Sequence, residues 1–496
     1  MEQRMEALTI QVDKLSRMMG AGEWYPPKQP GESDPSTPTN GYTGTVGHPH
    51  VPDSSYFALC STKPTDSPPS YPTTTKYTAP TTIPKPPVGD RDGYRAVGYY
   101  GNWDIYARNF TPQQIPASRL THLLYSFADN RPDGTVFLTD TFADVEKHWA
   151  TDSWSESGNN MYGNLKQLGL LKQKNRNLKV MLSIGGWTYT NEKKHMDPVG
   201  ASTTAIQTFA RSCVDMVRNY GFDGIDIDWE YPQDATQGLQ FLAMLRETRK
   251  ALDGYADQLG RDKGYAAEAR PRFLLSIAAP AGEANYKNMP LKEVSEEVDF
   301  VNLMAYDYAG SWDKTTGHGS NLAPSRSNPK STPYNTDSVV QHYLRSGVPS
   351  QKLNLGMPLY GHAFTNTAGL GQPYNGNGKG SFEAGIYDFK DLPLEGATEY
   401  WDEEAYATYS YDNSTNMLVS YDTVEMALTK VGYIKQTKLG GAMWWEVSGD
   451  KLGKGSIITN VVNDMSGDDG KGIESKPNWI YWPDSAYDNV KRGFAA

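Results

Sequence analysis

Cysteine is nearly absent: the chain has two in 496 residues. That excludes a disulfide-stapled scaffold and a cysteine-rich zinc module. Long apolar runs are missing too, since no stretch of about 18 apolar residues occurs, so a membrane-spanning helix is excluded. Basic charge is in deficit. Lys and Arg number 47 against 58 Asp and Glu, a net charge of −11. A chain of that sign repels phosphate backbones, which argues against a nucleic-acid partner. Aromatics, by contrast, are plentiful, with 12 Trp and 32 Tyr. Either they fill ordinary core and surface positions, or some stack on a ring-shaped ligand.

Composition divides the chain. Met1, Met5, Leu8, Val12, Leu15 and Met19 recur in steps of four and three. That is coiled-coil spacing over fewer than three heptads. It predicts weak self-association through residues 1–19, or a frayed amphipathic helix. Glu6, Asp13, Lys14 and Arg17 interrupt the segment, so it does not read as a secretory signal. Residues 20–91 hold 15 of the 32 prolines, with much Ser, Thr and Gly. Such a stretch buries too little apolar surface to offset its ordering entropy and reads as a disordered linker.

From Tyr94 the pattern changes. Eight short apolar runs alternate with helical stretches: Arg95–Tyr100, His122–Phe127, Lys179–Ile184, Gly224–Trp229, Phe273–Ala278, Phe300–Tyr306, Leu353–Leu359 and Gly441–Trp445. Near-continuous apolar runs predict strands buried on both faces, hence parallel. Ile206, Phe209, Cys213 and Met216 mark one helix face, which makes Cys213 a core thiol; Leu239, Leu242 and Leu245 mark another. The expected fold is α/β, a (β/α)₈ barrel over 92–465 with a tail at 466–496. Between Leu359 and a last helix near Asp422–Thr437 lie about 60 residues, too many for a bare loop. Strand-like alternation at Ala405–Tyr411 and Met417–Tyr421 predicts a small α+β insertion there, about 362–421.

Residues 223–232 read DGIDIDWEYP. In a strand Asp226, Asp228 and Glu230 share one face, and Ile225, Ile227 and Trp229 the other. The apolar face meets the helices, so the carboxylates point into the barrel. Three ionised carboxylates there are costly, and the tolerable state shares protons along the row. A carboxylic acid held protonated near neutral pH is what general acid catalysis requires. Glu230 ends the row at the C-terminal mouth, where barrel active sites lie. The competing readings are a metal site, for which no His or open carboxylate cage is evident, and a structural network.

The DxxDxDxE spacing resembles glycoside hydrolase family 18, the chitinases, and most closely fungal members. So do LSIGGW (182–187), MAYDYAGSW (304–312), GMPLYG (356–361) and GGAMWWE (440–446), each on its own expected strand. The resemblance spans about residues 93–465. It implies chitin and chito-oligosaccharides as substrate, hydrolysed with retention, and no cofactor or metal. It implies that Glu230 protonates the glycosidic oxygen and that the substrate's own acetamido oxygen attacks C1, a known exception to the two-carboxylate scheme. Asp228 would hold the acetamido N–H, Asp226 would share its proton, and Tyr306 would donate to the acetamido oxygen. Asp223, Ser183, Gly185 and Gly186 would be structural. Tyr99, Trp103, Phe127, Trp187, Tyr231, Met304, Asp307, Trp312, Tyr360 and Trp445 would line the substrate cleft, with Trp445 as its floor and Trp444, of opposite parity, in the core.

One position departs from the resemblance. Related sequences often carry Arg two residues after Tyr360; here it is His362. A planar bidentate donor is replaced by a titratable one. Three rival functions fit parts of the pattern: a lectin lacking the acid, a glycoprotein endoglycosidase, and a structural wall protein. Location is ambiguous. The resemblance implies an extracellular or cell-wall site, with which the chance-frequency Asn109 and Asn413 sequons are compatible, while the absent signal pattern and two cysteines fit the cytoplasm.

Overall fold

The computed structural model describes residues 93–494, apart from 264–269, 468–469 and 471. The segments 1–19 and 20–91 therefore lie outside the described residues.

The apolar runs form strands β1 (Arg95–Gly101), β2 (His122–Asn130), β4 (Lys179–Gly185), β5 (Gly224–Asp228), β6 (Leu274–Ala279), β7 (Phe300–Leu303), β8 (Leu353–Pro358) and β14 (Gly441–Trp445). A short β3 (Val136–Leu138) pairs antiparallel with the end of β2. The other eight are parallel, in the order β1-β14-β8-β7-β6-β5-β4-β2, and β1 pairs with β2 to close the ring. Closure removes every free edge, as the (β/α)₈ barrel requires.

Side chains sort by parity. Val97, Tyr99, Leu124, Met181, Phe300 and Met443 pack in the barrel interior. Ile225, Ile227 and Trp229 join the larger layer between strands and helices. The helix Thr203–Tyr220 shows why such segments seat firmly. Ser202 caps its first turn by accepting from the Ala205 amide, and Gly221 ends it at φ 80°. Ile206, Phe209 and Cys213 face the core. Along Ala235–Lys263, Leu242 and Leu245 are buried but Leu239 is exposed. Positions i and i+6 lie too far round a helix of about 3.6 residues per turn to share its face.

One connection departs from the regular alternation. After β1 the chain makes only 3₁₀ turns, at Asn102–Ile105 and Pro112–Gln114. The expected insertion is an antiparallel five-stranded sheet. Its strands are β9 (Tyr360–Phe364), β10 (Ile386–Asp388), β11 (Thr398–Asp402), β12 (Ala407–Asp412) and β13 (Met417–Ser420), ordered β10-β9-β13-β12-β11. Only Leu359 separates β8 from β9, so the barrel strand runs straight into the second sheet.

Residues 473–494 return to the base of the barrel. Ile473 bridges to Tyr94, and Trp482 is fully buried, its ring 5.5 Å from Phe273. Asn478 Nδ2 donates to the carbonyls of Lys172 (3.0 Å), Asn175 (3.1 Å) and Leu178 (2.7 Å), satisfying the end of the helix Gly163–Lys174. Replacing Trp482 by Ala leaves a large cavity against Phe273 and is expected to cost about 3–5 kcal/mol of stability, read from urea denaturation midpoints.

Candidate active site

The carboxylate row begins below the strand. Asp223 Oδ2 accepts from the Val180 amide (2.7 Å) and lies 2.8 Å from the buried Lys172 Nζ. Its Oδ1 accepts from the Trp479 amide at 2.8 Å. Both oxygens are saturated by structural partners.

Asp226 is wholly buried among donors. Parallel registry sets Ser183 of β4 and Ser276 of β6 directly beside it. Oδ2 accepts from Tyr99 Oη (3.0 Å) and Ser183 Oγ (2.8 Å), and Oδ1 from Ser276 Oγ (2.6 Å). Burial pushes this carboxyl up, while the hydroxyls and Asn302 pull it back toward ionisation. The same burial, with the Asp226 charge behind it, keeps the Tyr99 phenol neutral and donating.

Asp228 has no such shell. Burial first, then the neighbouring Glu230 and Asp226 charges, hold it well above the usual carboxylate range. Among the described residues its buried Oδ1 meets no hydrogen-bond partner. The row thus favours the protonated form most at Asp228, directly below the mouth. Glu230 follows, half-buried, with its amide donating to Thr190 Oγ1 at 2.9 Å. Thr190 in turn donates to the Gly186 carbonyl at 2.8 Å.

Two glycines make this crossing fit. Gly185 sits at φ +116°, and a Cβ there would meet the Asp228 carbonyl at 2.2 Å. Gly186 sits at φ +84°, and a Cβ there would meet the Phe127 ring at 2.7 Å. Its amide donates to the Asp228 carbonyl at 2.9 Å.

The aromatic residues collect at the mouth. Trp445 is half-buried, whereas Trp444 is fully buried. Ring centroids of Phe127 (5.7 Å, stacked), Tyr99 (5.4 Å) and Trp103 (6.3 Å) surround Trp445. Trp187 meets Tyr231 edge-on at 6.4 Å. Tyr306 reaches the same interior cluster, with Met304 packed against it, and its Oη lies 3.8 Å from Met443 Sδ. Beyond it Asp307 Oδ1 accepts from Tyr360 Oη (2.6 Å) and lies 2.7 Å from His362 Nε2. Trp312 sets its ring edge-on to His362 at 5.3 Å.

Residues 95–450 match the Glycosyl hydrolases family 18. "Chitinase 1" of Aphanocladium album is 50% identical over 402 residues, 81% of this chain and 91% of that protein. Among solved structures, the catalytic domain of psychrophilic chitinase B from Arthrobacter TAD20 superposes with a TM-score of 0.70 at 28% identity, covering 78% of this chain and 99% of that one. Human YKL-39, described as a pseudo-chitinase with retained chitooligosaccharide binding, superposes at 0.63 with 27% identity, covering 75% of this chain and all (100%) of that one. The chain belongs to glycosyl hydrolase family 18.

Within this family 18 barrel, sequence reasoning found the acidic row and missed part of its support. Ser276 and Asn302 are single polar residues in apolar strands, and their parity places them beside Asp226. Thr190 carries no such signal, because it lies in the turn Thr188–Glu192 after β4. His362, the departure in the seventh-strand motif, lies against Asp307.

The raised Asp228 proton has a stability consequence. The native state keeps a proton that the unfolded chain releases, so stability falls as pH rises from the usual carboxylate range through the raised value. Asp228→Asn lacks this loss. Its stability should match wild type near about pH 4 and exceed it increasingly above, by at most about 1.4 kcal/mol per pH unit. Urea denaturation at several pH values checks the divergence. The removal of Ser276 Oγ acts oppositely: Ser276→Ala should cost about 1.5–3 kcal/mol near neutral pH by the same assay.

Proposed function

We propose that this chain is a chitinase that hydrolyses β-1,4 bonds between N-acetylglucosamine units, with Glu230 as proton donor and the substrate's acetamido oxygen as nucleophile. The observation that carries the reading is the division of labour along one strand. Asp226 is surrounded by hydroxyl donors, Asp228 is held toward its protonated form by burial and has an unpartnered oxygen, and Glu230 stands half-buried at the mouth. Asp228 and Glu230 leave the same strand two residues apart, roughly 6–7 Å between Cα atoms. They cannot flank a sugar from opposite faces as a two-carboxylate retaining pair does.

The proposed sequence follows from that placement. Glu230 protonates the leaving oxygen. The acetamido carbonyl attacks C1 from the far face and forms an oxazolinium ion. Asp228 holds the acetamido nitrogen and supports its positive charge, and the Tyr306 hydroxyl donates to the acetamido oxygen. Burial, then the Asp307 charge, keeps that phenol protonated. Glu230 then takes a proton from water, which opens the ring with net retention. Attack within one bound sugar gains the proximity effect. Trp445 floors the reacting sugar, and Trp103, Phe127 and Trp187 extend the apolar wall on which sugar rings stack.

The lectin reading is distinguished by the acid itself, since the pseudo-chitinase neighbour keeps oligosaccharide binding on the same fold. The second sheet inserted after β8 and the Trp445 floor support polymer over glycoprotein glycans. The site of action we propose is extracellular or cell-wall chitin.

Glu230→Gln keeps the shape and removes the acid. Turnover of soluble chito-oligosaccharides should fall roughly 10²–10⁴-fold while binding persists. Loss within tenfold of wild type would contradict the role. With partly deacetylated chitosan, every new reducing end should be N-acetylated and the first anomer seen by NMR should be β. Glucosamine reducing ends, or an initial α-anomer, would rule out the acetamido nucleophile.

A further inference from the structure

Glu230 stands past the end of its strand. β5 closes at Asp228, whose ladder partner is Gly185 of β4, and the pairing with β6 ends one residue earlier, at Ile227 and Ile277. The hydrogen-bond ladder of the barrel therefore does not reach Glu230. Trp229 anchors the chain just before it, buried in the shell with its ring edge-on to Phe241 at 5.6 Å. Downstream, Asn288 Nδ2 donates to the Pro232 carbonyl at 3.2 Å. Between these two anchors the chain bends at Glu230.

A hydroxyl from another strand's loop holds the bend. Thr190 lies in the turn Thr188–Glu192 after β4 and is buried. Its Oγ1 accepts from the Glu230 amide at 2.9 Å and donates to the Gly186 carbonyl at 2.8 Å. The Thr190 amide donates to the same carbonyl at 3.0 Å, and the Gly186 amide donates to the Asp228 carbonyl at 2.9 Å. Asp228, Gly186, Thr190 and Glu230 thus form a ring of hydrogen bonds across the C-terminal ends of β4 and β5, closed by the chain itself through Trp229. The link needs a group that donates and accepts at once, which a hydroxyl does and a methyl does not. The Thr190 methyl faces Gly185, which directs the hydroxyl toward Glu230.

We propose that Thr190 is a positioning residue for the proton donor: by fastening the Glu230 amide to the Gly186 carbonyl, its hydroxyl sets where the Glu230 carboxyl stands relative to the leaving oxygen. The inference rests on the reading of Glu230 as the acid. A general acid works only within hydrogen-bond reach of the atom it protonates, about 2.6–3.2 Å. A misplacement of about 1 Å costs roughly 10²-fold. The acetamido nucleophile belongs to the substrate, and Asp228 is fixed by the ladder of β5. Loss of the hydroxyl therefore falls on proton donation and leaves the attack on C1 in place.

The test compares the full chain with Thr190→Val, which keeps the shape and removes the hydroxyl, and with Thr190→Ser, which restores it. Two substrates separate proton donation from the other steps. In the N-acetylglucosamine tetramer the leaving group is a sugar hydroxyl and needs the proton. In the dinitrophenyl glycoside of the N-acetylglucosamine dimer the phenolate leaves without one. With Thr190→Val, kcat on the tetramer should fall roughly 10–100-fold at unchanged KM, while first-turnover release of dinitrophenolate stays within about threefold of wild type. Thr190→Ser should recover most of the tetramer turnover. Unchanged kcat, equal losses on the two substrates, a loss carried by KM, or no recovery with serine would each overturn the proposal. Glu230→Gln is measured beside them. Tetramer turnover within about tenfold of wild type in that variant would overturn the reading of the acid itself. A Glu230→Gln chain that loses turnover beside an unaffected Thr190→Val chain would overturn the role of Thr190 alone. If Thr190→Val fails to fold, Thr190→Ala removes the same hydroxyl and faces the same criteria.

Discussion

The structure depends on keeping carboxylates inside a parallel barrel. Burying one charge without partners costs several kcal/mol, and here two aspartates of one strand point into the lumen. The barrel meets that cost unevenly. Around Asp226 it gathers hydroxyls from three strands, Tyr99, Ser183 and Ser276. Around Asp228 it gathers none and lets protonation remove the charge. The inequality raises two chemically identical carboxyls to different extents, Asp228 more than Asp226, and unequal environments of this kind are the general way one fold obtains an acid and a base from the same residue type. Strand registry imposes it, since Ser183, Asp226 and Ser276 are direct neighbours across β4, β5 and β6.

The same solution recurs one layer out, with different partners. Behind Trp103 and Trp445, Arg108 ties the turn after β1 to the end of β14 and, through Asp388, to the second sheet. At the mouth these charged links therefore join three parts of the chain, in addition to the apolar core they share. Asp307, Tyr360 and His362 make a similar link on the other side, from the loop after β7 to β9.

Much of this was legible in the sequence because the relevant signals are local. The period-two alternation of DGIDIDWEYP separated lumen from shell, and Ile225, Ile227 and Trp229 are indeed buried on the helix side. The eight apolar runs are the barrel strands, though the sixth ends at Leu303, before Tyr306. What escaped has no short-range signature. Ser276 matters only because registry sets it beside Asp226. Thr190 matters because a turn folds back on Glu230. Leu239 looked like its apolar neighbours, but a spacing of three repeated twice drifts off the helix face. The strands β9, β10 and β11 went unnoticed. β9 continues a barrel strand after one residue, and β10 has three residues.

The return of residues 473–494 to the barrel base bears on the order in which the protein is made. Asp223 precedes β5, yet one of its oxygens is held by the Trp479 amide. Lys172 and Lys179, on early elements, lie against Trp482 and Glu474. β1 likewise waits for β14 as its neighbour. During synthesis the first half of the barrel is therefore an open sheet with an unpaired edge and a charged base. The acidic strand reaches its final electrostatic surroundings only when the last of these residues has left the ribosome. Until then the nascent chain is exposed to wrong edge pairing, which places its period of greatest vulnerability in translation rather than in the finished enzyme.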